Sequence, residues 1–218
     1  MKTGSEIIVD VLADEGVETI FGYSGGAILP TYDEVFKYNE ANPENPMPLI
    51  VPSNEQGAGF MASGYARSTG KPGVVMVTSG PGATNTVTPV RDAMADSIPM
   101  VIICGQVSRQ AIGSDAFQEA PVTSVMGSVA KHVFLVTDEN KLAATLKAAF
   151  EVATSGRPGP VVVDIPKDVQ TAEISEEDYE DTNISAYSNR ILAIEKSRLN
   201  EEKSSQFFTH LGNSKRPL

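Results

Sequence analysis

One carboxylate follows a short apolar run, at the start of a helix built mostly from small residues. The run from Leu49 to Pro52 predicts a buried strand, and Glu55 stands where that strand gives way to the helix. In an open α/β sheet this is the carboxyl edge of a strand, where ligands bind. A carboxyl group placed there could exchange a proton with a ligand nitrogen. For the residue taken alone, the commoner role is a favourable charge at the positive end of the helix dipole.

A second junction of strand and helix carries two glycines. The apolar residues Val74 to Val77 are followed by Thr-Ser-Gly-Pro-Gly-Ala-Thr-Asn, from Thr78 to Asn85. Such a turn could bind an anion at the helix start. It departs from the dinucleotide fingerprint, however, and an apolar strand stands where a ribose-binding acid should follow. The stretch from Gly64 to Lys71 misses the P-loop pattern, since Pro72 replaces the required Ser or Thr. The residues alone therefore favour tight turns.

Composition excludes several classes of protein. The chain has 218 residues, 41% of them hydrophobic and 21% charged, which is typical of a soluble globular protein. Its formal net charge of -11 argues against nucleic acid as a partner. Cys104 is the only cysteine and ends an apolar run, which predicts a buried thiol and a reducing, cytoplasmic location. No apolar stretch is long enough to span a membrane, and the two distant histidines predict no metal site.

Strand and helix patterns alternate along most of the chain, which is typical of parallel βαβ units. The predicted strands are Val17 to Phe21, Leu49 to Pro52, Gly73 to Thr78, Met100 to Cys104, His132 to Val136 and Pro160 to Pro166. The predicted helices include Leu29 to Tyr38, Gln56 to Ser68, Ala83 to Ala95, Val122 to Val129 and Asn140 to Thr154. The sequence therefore predicts an α/β fold, with a doubly wound, mostly parallel sheet of six strands and helices on both faces.

Two segments interrupt this alternation. The loop from Gly105 to Ala120 is long for a compact domain, so we expect it to be functional or mobile. The acidic stretch from Glu173 to Asp181 predicts a linker, and an amphipathic segment from Ile194 to Leu211 follows it. We therefore expect one domain at residues 1–170, and a linker with the start of a second domain at residues 171–218.

Six motifs resemble one enzyme family. Glu-Gln-Gly-Ala-Gly from Glu55 and the Thr78 to Asn85 sequence resemble the pyrimidine-binding domain of thiamine diphosphate-dependent enzymes. Four more motifs are most similar to the acetohydroxyacid synthase family: Asp92 to Pro99, Gly-Gln-Val from Gly105, Ala111 to Glu119, and Gly-Arg-Pro-Gly-Pro from Gly156. The resemblance covers the whole predicted domain and implies a thiamine diphosphate-binding fold. Asn54 and Phe60 depart from it, because they replace histidines common around the glutamate.

The resemblance implies a role for individual residues. Glu55 is implied to face N1′ of the aminopyrimidine and to act as the catalytic group. The cofactor-binding positions implied beside it are Tyr23, Gly25, Gly26, Thr78, Pro81, Asn85 and Arg157, with Arg157 directed to FAD. Phe117 and Gln118 match positions that line the substrate side, and Lys167 matches a lysine at the substrate-access channel.

The resemblance also implies a reaction and its partners. Pyruvate would lose CO₂, and the remaining two-carbon unit would join a second 2-oxo acid, in branched-chain amino acid synthesis. Magnesium and FAD are expected to be bound mainly by regions absent from this chain. A homodimer that shares the cofactor site is implied, with room for a regulatory small subunit. The isolated chain is therefore expected to be inactive.

Two other interpretations stay open. The chain could be a stand-alone module that binds thiamine diphosphate or a nucleotide without catalysis. It could also belong to a related carboligase or decarboxylase that acts on another 2-oxo acid. The coding sequence beyond Leu218 distinguishes the first case, because a longer enzyme would continue to a Gly-Asp-Gly motif.

Overall fold

A parallel sheet organises most of the chain. The computed structural model describes residues 1–196 and 200–216. Its strands are β1 (Lys2–Thr3), β2 (Ile20–Tyr23), β3 (Leu49–Ile50), β4 (Gly73–Val77), β5 (Met100–Gln106), β6 (His132–Leu135), β7 (Pro160–Pro166) and β8 (Glu173–Ile174). Strands β2 to β7 form one six-stranded sheet in the order β3-β2-β4-β5-β7-β6, and every neighbouring pair is parallel. The predicted α/β fold and the number of strands in this sheet are confirmed.

Helices cover both faces of this sheet, as the alternation predicts. The helices of the first unit are α1 (Gly4–Asp14), α2 (Leu29–Ala41), α3 (Glu55–Thr69), α4 (Pro81–Asn85), α5 (Val87–Asp96), α6 (Val122–Gly127), α7 (Leu142–Thr154) and α8 (Lys167–Thr171). Two more helices, α9 (Ser185–Lys196) and α10 (Glu201–Asn213), belong to the second unit. Helices α3 to α6 contribute side chains to one core cluster, whereas α1 contacts α2, α7 and α8. The helix predicted from Ala83 to Ala95 is two helices, because a turn at Thr86 interrupts the helical backbone.

The three central strands are buried along their whole length. Every residue of β4, β5 and β7 is buried, which suits apolar runs that lie between two layers of helices. Successive side chains of these strands point to opposite faces of the sheet. Val75, Ile102 and Val162 lie in the cluster under α3 to α6. The strand ends of the carboxyl edge are therefore fixed by a fully packed centre.

Helix α3 has a defined start and a defined end. The side chain of Asn54 caps its N-terminus by accepting a hydrogen bond from the backbone N–H of Gly57 at 2.9 Å. Gly70 ends it in the left-handed conformation, with φ of 75°. Asn54 departs from the family resemblance, and the cap explains why asparagine suits this position. The cap fixes Glu55 as the first helical residue.

A small second sheet involves the segment predicted to be a linker. Strand β8 pairs antiparallel with β1, so that Lys2 lies opposite Ile174 and Thr3 opposite Glu173. The side chain of Ile174 is 2% exposed. The start of the acidic stretch therefore packs with the first unit, Met1–Thr182. The domain boundary proposed at residue 170 stays a prediction.

The residues from Asn183 onward form a separate unit. Helix α9 ends at Lys196, and α10 begins at Glu201 after its N-cap, Asn200. The amphipathic segment predicted from Ile194 to Leu211 thus includes the end of α9 and most of α10, and residues 197–199 within it lie outside the described part. Among the described helices of the chain, none is both long enough and apolar enough to cross a bilayer.

Two glycines on α3 differ in their surroundings and give a first prediction. A methyl group on Gly59 would lie 2.4 Å from Cγ of Pro89 on α5, whereas a methyl on Gly64 would meet nothing within 4 Å. We expect Gly59→Ala to lower the free energy of unfolding by about 1–3 kcal/mol, because the two helices must separate. Gly64→Ala should raise it by about 0.5–1 kcal/mol, since alanine favours the helix.

Urea denaturation of the two variants and the parent chain measures both effects. The pair is matched, because both changes add one methyl group to the same helix. Equal effects of the two substitutions would contradict the close crossing of α3 and α5.

Candidate functional site

The ends of four parallel strands meet at one edge of the sheet. The strand register places Tyr23 beside Val77, Val77 beside Cys104, and Cys104 beside Asp164. The loops that follow β2, β4, β5 and β7 therefore leave the sheet side by side. This edge also receives Glu55, which begins α3 after the end of β3.

Glu55 is buried but keeps one oxygen available. Its residue is 9% exposed, and the side-chain amide of Asn85 donates a hydrogen bond to Oε2 at 2.8 Å. Among the described residues, none donates a hydrogen bond to Oε1 and no lysine or arginine pairs with this carboxylate. Oε1 lies near Gly82, where a methyl group would be 3.7 Å away. The carboxyl group can therefore exchange a proton with a ligand placed over the glycine.

Tyr32 on α2 is a buried tyrosine that interacts electrostatically with Glu55. Its hydroxyl is buried and donates a hydrogen bond to the backbone carbonyl of Met76 at 2.9 Å. Burial raises the pKa of Tyr32 well above its usual value, and the charge of Glu55 raises it further. The phenol therefore remains neutral at physiological pH. Tyr32 was missed by sequence reasoning, since a tyrosine on an amphipathic helix carries no signal beyond packing.

Two backbone segments crowd the side chain of Thr78. Its hydroxyl accepts a hydrogen bond from the backbone N–H of Ala27 at 3.2 Å. A methyl group on Gly25 would lie 2.5 Å from Cγ2 of Thr78, and one on Gly82 would lie 2.7 Å from the same atom. Neither glycine can carry a side chain without a shift of the loops. Thr78 thus joins the loop after β2 to the loop after β4.

The loop after β5 reaches the same place through backbone contact. Gly80 has a φ of 54°, and a methyl group there would lie 2.4 Å from the carbonyl oxygen of Gln118. Gln118 itself has a φ of 57°. Its neighbour Phe117 is 88% exposed, so its ring is not part of the core. The structure brings the predicted substrate-side residues to the glycine turn, with the aromatic ring facing outward.

This loop, predicted to be functional or mobile, is closed by its own side chains. The carboxylate of Glu119 accepts hydrogen bonds from the backbone N–H groups of Gly113 and Ala116, and these lower its pKa. Arg109 donates from Nε to Asp168 at 2.7 Å and from Nη1 to the carbonyl of Thr137 at 2.9 Å. Both ends of the exposed segment are therefore fixed.

A buried carboxyl lies under the loop and was not predicted. Asp164 on β7 is 1% exposed, and its Oδ2 accepts a hydrogen bond from Nε2 of Gln106 at 3.0 Å. Oδ1 has no hydrogen-bond partner among the described residues. Burial raises the pKa of Asp164 to about 7, against the smaller lowering effect of Gln106. The sequence does carry a signal, because Asp164 is the single acid within an otherwise apolar strand.

The remaining predicted site residues lie at different distances from this cluster. Pro81 and Gly26 are exposed on the two loops that meet at Thr78, and Lys167 is exposed just after β7 at the same edge. Arg157 precedes β7 and so lies at the opposite, amino edge. Its guanidinium donates to the carbonyls of Met94 and Ala95 at 3.0 Å and thereby caps the end of α5. The structure does not bring Arg157 to the site.

The donors at this edge suit one of the groups that the resemblance implies. Gly25 and Gly82, packed on Thr78, are called the glycine cradle, and the available oxygen of Glu55 beside it can bind a ring nitrogen. Within the described part of the chain, no three His, Cys, Asp or Glu residues are grouped to hold a metal ion. The donors of Arg157 are engaged by α5, which offers no separate indication of a flavin. The described site therefore fits the pyrimidine half of a cofactor.

Comparison with known proteins adds an independent observation. A family model described as "Thiamine pyrophosphate enzyme, N-terminal TPP binding domain" matches residues 2–126. The chain is 54% identical over 170 residues to the mitochondrial acetolactate synthase catalytic subunit of Saccharomyces cerevisiae, which is 78% of this chain and 24% of that protein. It is 52% identical over 166 residues to the acetolactate synthase large subunit of Haemophilus influenzae, covering 76% and 28%.

A plant relative gives the same result. The chain is 47% identical over 169 residues to the chloroplastic acetolactate synthase of Arabidopsis thaliana, with 78% of this chain and 24% of that protein covered. The chain thus spans about a quarter of the length of these three relatives.

The buried carboxyl of Asp164 gives a prediction on pH dependence. Its pKa is raised in the folded chain to about 7, from a usual value of 3.8, so the folded state holds a proton that the unfolded state releases. The free energy of unfolding should therefore fall as pH rises from 4 to 7, by up to about 4 kcal/mol from this group. Asp164→Asn should remove that part of the slope.

Denaturation at a series of pH values from 4 to 8 measures the slope. Asp115→Asn is the matched control, because Asp115 is exposed on a loop, and its slope should equal that of the parent. A parent and an Asp164→Asn variant with the same slope would show that this carboxyl is ionised when folded.

Proposed function

We propose that this chain, which belongs to the thiamine pyrophosphate enzymes as their N-terminal TPP-binding domain, supplies half of an acetolactate synthase active site. That half would carry out the proton transfer. The similarity to acetolactate synthases from fungi, plants and bacteria supports this assignment. The observation that carries it is the geometry of Glu55. The residue is buried at a strand end, held by Asn85 through one oxygen, and has the other oxygen beside Gly82.

Glu55 would hold and move the proton at the aminopyrimidine ring. Asn85 fixes Oε2 at 2.8 Å, so the proton is delivered from Oε1, on the side of the glycine cradle. Thiamine diphosphate, when bound, supplies a nucleophilic carbon and an electron sink for decarboxylation of a 2-oxo acid. Proton transfer by such a positioned group contributes roughly 10²–10⁴ in rate.

The residues of the loops would bind and orient the ring. Gly25 and Gly82 pack on the side chain of Thr78, and this contact would hold the backbone of both loops in place beside the ring. Tyr23 is exposed at the end of β2 beside this cradle. Buried Tyr32, which donates to the carbonyl of Met76, would stay neutral and add no charge near Glu55.

The substrates proposed are pyruvate and a second 2-oxo acid, either pyruvate or 2-oxobutyrate. Phe117 offers an exposed apolar ring, and Gln118 an exposed amide, on a loop fixed against Gly80. Lys167 adds a positive charge at the same edge, which suits a carboxylate substrate. Branched-chain amino acid synthesis would use the product.

Magnesium, FAD and further protein chains are part of the same proposal. The described residues offer no grouped metal ligands, so the diphosphate and its magnesium would be held by protein outside this chain. FAD would reach Arg157 only at the opposite edge of the sheet. A regulatory small subunit and a cytoplasmic location are also proposed. Subcellular fractionation tests the location, since the names of relatives include mitochondrial and chloroplastic proteins.

A homodimer through α3 is proposed on the basis of its outer face. Phe60 and Met61 are exposed apolar side chains on this helix, which begins at Glu55. An apolar surface next to the cofactor cradle suits a second copy that completes the site. Sedimentation of the chain at high concentration tests this. A purely monomeric profile would count against it.

The isolated chain should not produce acetolactate. With pyruvate, thiamine diphosphate, magnesium and FAD, we expect no product above background, because the diphosphate half of the site lies outside the chain. Product formation by the chain alone would overturn the split-site proposal.

A chimeric enzyme tests the role of Glu55 directly. The chain replaces the matching N-terminal region of the Saccharomyces cerevisiae catalytic subunit, and acetolactate formation is measured. Glu55→Gln in this chimera should lower kcat by about 10²–10⁴, because the amide cannot deliver the proton. Glu44→Gln, on the exposed loop before β3, is the matched control and should leave kcat unchanged. A Glu55→Gln chimera with the parent rate would remove this residue from the mechanism.

A further inference from the structure

One buried side chain joins the sheet to the far end of the loop after β5. Gln106, the last residue of β5, is 2% exposed. Its Nε2 donates to Oδ2 of Asp164 at 3.0 Å and also to the carbonyl of Ala120 at 3.2 Å. Its Oε1 accepts from the backbone N–H of Val107 at 2.9 Å. The amide therefore touches the start of the loop, its end and the neighbouring strand.

Ala120 lies two residues beyond Gln118, the point where the loop meets the glycine turn. The carbonyl of Ala120 also accepts from the backbone N–H of Val122 at 2.8 Å, which fixes it to the start of α6. The carbonyl of Gln118 lies against Gly80, so closely that a methyl group there would be 2.4 Å away. A shift of Ala120 would thus be passed on to Gln118 and Phe117.

The other anchor of the loop is more exposed. The side chains of Arg109 and Asp168 are 33% and 34% exposed, so their two hydrogen bonds, and those of Arg109 to Thr137 and Glu139, are partly open to water. The contacts of Gln106 are shielded from water, where a hydrogen bond is stronger and its loss is costlier. The buried contacts should therefore decide where the loop lies.

We propose that Gln106 and Asp164 are positioning residues, which form a buried latch that holds Phe117 and Gln118 against the glycine turn Gly80 to Gly82. Their function rests on the proposed substrate role of this loop. Asp164 supplies the fixed acceptor on β7, and Gln106 transmits its position to Ala120. Because Oδ1 of Asp164 has no partner in the described structure, Gln106 is the contact that orients this carboxyl.

Amide hydrogen exchange in the 218-residue chain tests the latch. Gln106→Leu keeps a side chain of similar size but removes both donated hydrogen bonds. The backbone N–H groups of Ala116, Glu119 and Val122 should then exchange at least about tenfold faster, through local opening of the loop. The amide of Ile103, in the middle of β5, should change by less than about threefold under the same conditions.

Thr145→Val is the matched control for a lost buried hydrogen bond. Thr145 on α7 lies 2.7 Å from the hydroxyl of Thr182, away from the loop. This variant should leave the exchange of Ala116 and Glu119 unchanged. Asp164→Asn keeps an acceptor oxygen for Gln106, so its loop amides should stay within about threefold of the parent. A purely structural role would instead accelerate loop and strand amides together.

A measurement on the parent chain decides the matter if Gln106→Leu does not fold. The side-chain amide protons of Gln106 should exchange at least about 100-fold slower than those of exposed Gln118. Equal rates would overturn the latch, as would equal acceleration of loop and strand in Gln106→Leu. These exchange rates are measured without cofactor, so they do not depend on the proposed catalytic function. A chimera without acetolactate activity would refute the proposed function and leave these exchange rates as the test of the latch.

Discussion

The structure of the site depends on how closely two backbone segments approach the side chain of Thr78. The loop after β2 comes to its methyl group through Gly25, and the loop after β4 comes to it through Gly82. A hydrogen bond from Ala27 closes the arrangement. This crowding is permitted only because both glycines lack Cβ, and it holds the two loops of the glycine cradle together at the sheet edge. Glu55 lies beside that cradle because Asn54 fixes where its helix begins.

Much of the scaffold could be predicted from the sequence. The apolar runs at β4, β5 and β7 predict buried parallel strands, and the structure places β7 over the same residues as the pattern does. The turn at Thr86 was missed, since the two short helices on either side carry one continuous amphipathic pattern. Pairing of β8 with β1 was missed for a different reason. Two-residue strands have no periodicity that a sequence pattern can reveal.

The site was predictable where residue type alone limits the structure. A carboxylate between a strand and a small-residue helix indicates an edge position, and glycines after a strand indicate a tight turn. The contacts among the loops were not predictable, because they join parts of the chain that are far apart in sequence. Gln118 has a positive φ and lies against Gly80. Arg157 shows the reverse. Its motif points to a ligand, while its guanidinium here serves the end of α5.

The pairing of β1 with β8 brings the two ends of the first unit side by side. Lys2 lies opposite Ile174, so a short peptide could join these positions, and the chain could be reopened at an exposed loop such as residues 42–46. Folds whose ends meet in this way tolerate circular permutation. The first unit could then be moved as one piece into a different polypeptide, with its new ends before β3, at the edge of the sheet opposite Glu55.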